Sequence, residues 1–82
     1  MTQINTKKSE LINYLQLYLL KKLFMNNVFE GIILRLNNNE RISTKQFNSI
    51  IKFIERENKF KGKTRSQILE YFYPLISHSK HK

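Results

Sequence analysis

Apolar residues recur along this chain at spacings of three and four, the period of a helix buried along one side. In the first stretch Leu11, Ile12, Leu15, Leu19 and Leu23 fall on one face, which predicts a helix over residues 7–25. A second helix is predicted over residues 28–36, with Asn26-Asn27 as the break and Asn27-x-x-Glu30 as a capping pair. One continuous helix through that break fits the same pattern.

Two later starts are marked by chemistry as well as period. Ser43-Thr44-Lys45-Gln46 has the form of a capping box, in which the serine oxygen accepts from the Gln46 amide and Gln46 reaches back to the Ser43 amide. Ile42 and Phe47 flank it as a hydrophobic staple, and the helix so opened is predicted over residues 44–58, ending before Gly62. Thr64-Arg65-Ser66-Gln67 repeats the device and opens a helix over residues 65–76, with Ile68, Leu69, Phe72, Leu75 and Ile76 on one face. Pro74 lacks a backbone donor and should kink its last turn. No stretch shows sustained strand alternation. The expected fold is all-α, a compact bundle of three to four helices in a single domain over residues 1–76, followed by a flexible tail over residues 77–82.

The first helix carries more apolar surface than one face needs. Leu17, Leu20 and Phe24 project almost opposite the main stripe, with Tyr14, Tyr18 and Met25 between. A helix apolar nearly all round should be buried nearly all round. Four arrangements would achieve this: a homodimer through this helix, docking onto a larger protein, a membrane-surface helix, or a central position among the other three helices. Leu17, Leu20 and Phe24 are therefore candidate protein-interface residues. The run over residues 11–20 is broken by Asn13 and Gln16 and closed by Lys21 and Lys22. It falls short of the roughly 20 residues that span a bilayer, so no membrane span is expected.

Length and composition narrow the picture further. A chain of 82 residues has room for one modest core, and ten Ile, ten Leu, six Phe and four Tyr can fill it without metal or disulfide staples. Cysteine is absent and the first ten residues lack a secretory pattern, so an intracellular location, cytoplasmic or in an organellar matrix, is expected. The formal charge of +9 points to polyanions or acidic protein surfaces. Yet Asn, Ile and Lys make up 30 of the 82 residues and Ala, Asp and Trp are absent, a bias that AT-rich coding produces by itself. The distribution of charge is more informative than its total.

Along the third helix Phe47, Ile50, Ile51 and Ile54 share one face, and Lys45, Lys52, Arg56 and Lys59 gather within about 60° on the other. An ordinary solvated face mixes signs, whereas this line has no acid. Lys59, Lys61, Lys63 and Arg65 then place four positive charges and no negative one in seven residues. That turn leads into a helix N-terminus, where free amides favour phosphate or carboxylate. Arg65 and Gln67 project from its first turn and are of the types that contact phosphates and base edges. The connection is longer than that of a standard helix-turn-helix. Lys45, Lys52, Arg56, Lys59, Lys61, Lys63, Arg65 and Gln67 are the candidate contacts to nucleic acid of unspecified type or to an acidic or nucleic-acid-binding protein.

Catalytic chemistry finds little support. There is no Cys or Asp, His78 and His81 fall in the predicted tail, and Glu55 and Glu57 diverge by about 200° on a helix. Two histidines without a third ligand make a poor metal site, and no phosphate-binding glycine loop is present. No enzyme activity, metal or cofactor is expected.

Residues 29–57 resemble a helical hairpin of phage and plasmid DNA-metabolism proteins, with Phe29, Leu34 and Leu36, Ile42-Ser43, Lys45-Gln46 and Ile50 at the matching positions. The resemblance implies an accessory role in a phage or mobile-element setting. The expected function is a small basic nucleic-acid-binding accessory or regulatory protein. The alternative is a protein-binding module, either a small subunit of a larger assembly or a phage or mobile-element inhibitor of a host nuclease or defence complex.

Overall fold

Two antiparallel helices frame the molecule. The computed structural model describes residues 3–21 and 26–77. The first helix, α1, runs Gln3–Leu20 and the second, α2, runs Asn26–Asn37. Their direction is read from the contacts at each end. Tyr18 meets Phe29 with ring centroids 5.8 Å apart, and Lys8 Nζ donates to Asn39 Oδ1 at 2.7 Å.

Helix α1 begins earlier than the apolar period predicts, because tertiary contacts hold its polar first turns: Lys7 lies 4.4 Å from the Tyr71 ring centroid. Asn26 and Asn27 belong to α2 itself, so they are neither the break nor a capping pair with Glu30. Residues 22–25, including Phe24, lie outside the described residues, as do His78 and His81.

Helix α2 ends in a Schellman turn. Asn39 takes a left-handed φ of 62°, its amide donates to Leu36 O at 3.1 Å, and the Glu40 amide donates to Arg35 O at 2.8 Å. Asparagine tolerates this conformation and satisfies carbonyls that the helix leaves open.

Strand β1, Ile42–Ser43, leads directly into α3, Thr44–Ile54. The predicted capping box is present in full. Gln46 N donates to Ser43 Oγ and Ser43 N donates to Gln46 Oε1, each at 2.9 Å. Ile42 and Phe47 are both fully buried.

The helix stops four residues short of the predicted end for a packing reason. Continued as a helix, Asn58 would follow Ile54 onto the core face and Phe60 would point away from it. Burying an amide in place of a phenyl ring is unfavourable. The chain instead turns at Glu55 and Arg56 and forms a 3-10 turn, Asn58–Phe60, which buries Phe60 against Tyr14, Tyr71 and Phe72.

Helix α4, Arg65–Tyr71, opens with the second predicted box. Gln67 N donates to Thr64 Oγ1 at 3.1 Å and Thr64 N donates to Gln67 Oε1 at 2.9 Å. It also ends early, since Pro74 lacks the backbone donor that would continue the helix. A 3-10 turn, Tyr73–Leu75, passes into β2, Ile76–Ser77. Strand β2 pairs in parallel with β1, Ile42 opposite Ile76 and Ser43 opposite Ser77. Ser77 is therefore part of the fold and not the start of a free tail.

The molecule is an all-α bundle, with one small strand pair among the described residues. Its buried residues form a single cluster drawn from every element, and among the described residues no polar or charged residue is buried. Each Leu, Ile or Phe so buried contributes about 1.5–3 kcal/mol relative to exposure.

Candidate binding surface

The cations singled out from the sequence divide into two sets once the chain is folded. Lys59 and Arg65 have carboxylate partners of their own. Lys45, Lys52, Arg56, Lys61 and Lys63 are exposed and have no anionic partner among the described residues.

Lys59 sits in the 3-10 turn, off the line of Lys45 and Lys52, because α3 has already ended. Its Nζ donates to Glu10 Oε2 at 3.0 Å and to the Tyr71 hydroxyl at 2.7 Å. Glu10 Oε1 accepts from Tyr71 at 2.7 Å, and Oε2 also accepts from Tyr14 at 3.3 Å. This cluster fastens the basic turn to α1.

The bonds that Lys59 donates to Tyr71 and Glu10 raise its pKa. Burial pushes Glu10 up, but the bonds from Tyr71 and Lys59 and the lysine charge outweigh it, leaving Glu10 below the usual carboxylate value. Burial and then the Glu10 carboxylate push Tyr14 up to about 12.

Arg65 is held by Glu55, Nε to Oε1 at 3.4 Å. Gln67 closes the capping box, its Oε1 accepting from Thr64 N and its backbone amide donating to Thr64 Oγ1. The first turn of α4 thus carries its own cap, and Arg65 and Gln67 both remain exposed on it.

Arg56 lies between two glutamates in the sequence, yet neither pairs with it. Glu55 turns to Arg65, and Glu57 accepts a hydrogen bond from the Tyr18 hydroxyl. Burial, followed by that bond, raises the Tyr18 pKa. Lys52 and Lys45 stand on the outer side of α3, seven residues and about 10 Å apart along the axis. Lys52 Nζ lies 5.4 Å from the Phe53 ring centroid. Lys61 and Lys63 flank Gly62, whose φ of 81° makes the turn that presents them to solvent.

Leu17 and Leu20 are 50% and 77% exposed, so α1 is not enclosed on all sides by the other helices. Tyr14, Tyr18 and Leu19, by contrast, pack on or into the core. The sequence reading missed the carboxylates that neutralise Lys59 and Arg65. Glu10 is 49 residues from its lysine, and no local pattern points to the pairing.

Among the described residues no helix is long and apolar enough to cross a membrane, and no three His, Cys, Asp or Glu come together as a metal site. No protein family, curated protein or solved structure matches the chain.

Proposed function

We propose that this protein is a non-catalytic nucleic-acid-binding accessory or regulatory protein that grips phosphates through Lys45, Lys52, Arg56, Lys61 and Lys63. The supporting observation is that Glu55 and Glu57 engage Arg65 and Tyr18 and leave Arg56 between them without an ion pair among the described residues. Like charges left exposed together repel unless a polyanion neutralises them. Lysine heads on flexible stems recognise phosphate as point charges, and four of these five cations are lysines. Binding is therefore to the backbone and indifferent to sequence.

Five phosphate contacts correspond to a slope of log affinity against log salt of about −4.5 on duplex DNA. That is a loss of about 500-fold between roughly 50 and 200 mM salt. Fluorescence anisotropy with unrelated duplex and single-stranded probes tests this. Lys61→Glu with Lys63→Glu should weaken binding to every probe alike and flatten the slope by about 1.8. No binding at about 50 mM salt refutes the proposal.

A further inference from the structure

Leu17 and Leu20 lie three residues apart on α1 and so stand side by side on its surface. Lys21 follows Leu17 by one turn, its amide donating to Leu17 O at 3.1 Å. Beside this edge is an open hollow of about 290 Å³ lined by Tyr18, Lys21, Phe53, Arg56 and Glu57. The Tyr18 hydroxyl donates to Glu57, the one carboxylate in that lining, and neither Lys21 nor Arg56 forms an ion pair with it, so the lining sets two cations against one acid. The arrangement is an apolar pair beside a partly aromatic hollow whose lining carries an excess of positive charge.

We infer that this edge docks an acidic amphipathic segment of another protein, with apolar side chains on Leu17 and Leu20 and a carboxylate between Lys21 and Arg56. Charge complementarity selects this occupant over a second copy. A two-fold dimer would bring Lys21 and Arg56 toward the same residues of its mate, on chains of formal charge +9. Two leucines also fall far short of the roughly 800 Å² per partner of a stable interface. A short helix or extended segment needs less area, because its carboxylate contributes a charge-assisted pair to each cation. The inference is independent of the nucleic-acid reading except at Arg56, where the two surfaces meet.

The test is selection of random displayed peptides on the immobilised full chain, followed by affinity measurement on variants and sedimentation of the chain alone. Recovered peptides should combine Asp or Glu with Leu, Ile or Phe. They should bind Leu17→Glu, Leu20→Glu and Arg56→Glu at least about tenfold more weakly, and Lys61→Glu with Lys63→Glu as well as the unmodified chain. Both leucines are exposed, so the variants should keep the circular dichroism of the parent.

Three results would overturn the inference: no peptide whose binding depends on Leu17 or Leu20, peptides that depend instead on Lys61 and Lys63, or a dimer that Leu20→Glu dissociates. The second would assign the peptides to the phosphate-binding surface, and the third would assign the leucines to a second copy. Loss of nucleic-acid binding in Lys61→Glu with Lys63→Glu, with peptide binding intact, would separate the two surfaces.

Discussion

Replacing Glu10 by glutamine keeps the size of the side chain and removes its charge from the cluster that holds the basic turn. Glu10 accepts from Tyr71 at 2.7 Å, from Lys59 at 3.0 Å and from Tyr14 at 3.3 Å. A hydrogen bond to a charged group contributes about 1.5–3 kcal/mol and a neutral one about 0.5–1.5, so the Tyr71 bond should weaken by about 1 kcal/mol. The Lys59 side chain is 50% exposed, and solvent screening limits that pair to at most about 1 kcal/mol. The sum is a destabilisation of about 1–2 kcal/mol at neutral pH, or about 4–16 °C in Tm for a domain of this size.

The pH dependence follows from the lowered pKa of Glu10. A carboxyl depressed by folding contributes stability that is fully present above its unfolded pKa and is lost as pH falls through the lower folded value. The gap between parent and Glu10→Gln should therefore be full at neutral pH and close as pH drops below the ordinary glutamate value of about 4.3. Urea unfolding followed by far-ultraviolet circular dichroism from neutral to acid pH measures it. A gap that stays constant into acid, or no loss at neutral pH, refutes the assignment of these bonds. The same variant releases Lys59, so its nucleic-acid affinity should rise and its salt slope steepen by up to about 0.9.

Ser43→Ala removes one half of the first capping box and should cost about 1 kcal/mol in urea unfolding. The two glycines should respond with opposite signs. A Cβ at either meets nothing within 4 Å, so conformation alone decides. Gly62→Ala should lose about 1–2 kcal/mol at its φ of 81°, whereas Gly31→Ala inside α2 should gain about 0.5–1 kcal/mol, both measured by thermal unfolding.

What was legible in the sequence was local. Ser43 with Gln46 and Thr64 with Gln67 announced two helix starts because capping chemistry is complete within four residues. The predicted core faces of α3 and α4 are buried, with Leu69 partly so, even though both helices end early. What was not legible depended on residues distant in the chain. The end of α3 is decided by where Phe60 finds its aromatic partners, and Lys59 and Arg65 cease to be free cations only when Glu10 and Glu55 arrive. The Schellman turn at Asn39 could have been found, since asparagines at 37–39 after an apolar helical run supply a left-handed residue. The exposure of Leu17 and Leu20 was legible as a surplus, because a helix apolar on opposite sides exceeds what one core can cover.

The parallel pairing of Ile42 with Ile76 joins positions 34 residues apart. Closing a flexible loop of that length carries an entropic cost of about 3 kcal/mol plus a constant. A two-residue ladder returns only about 1 kcal/mol per hydrogen bond. Closure must draw on the burial of Ile42, Leu75 and Ile76, which exists only when the helices between them are in place. The helices, built on local contacts, should form before the pair does. Residues 76–77 are then a latch: their amides should be among the first of the core-attached segments to exchange with solvent, and a chain shortened before Ile76 would assemble its helices without locking them.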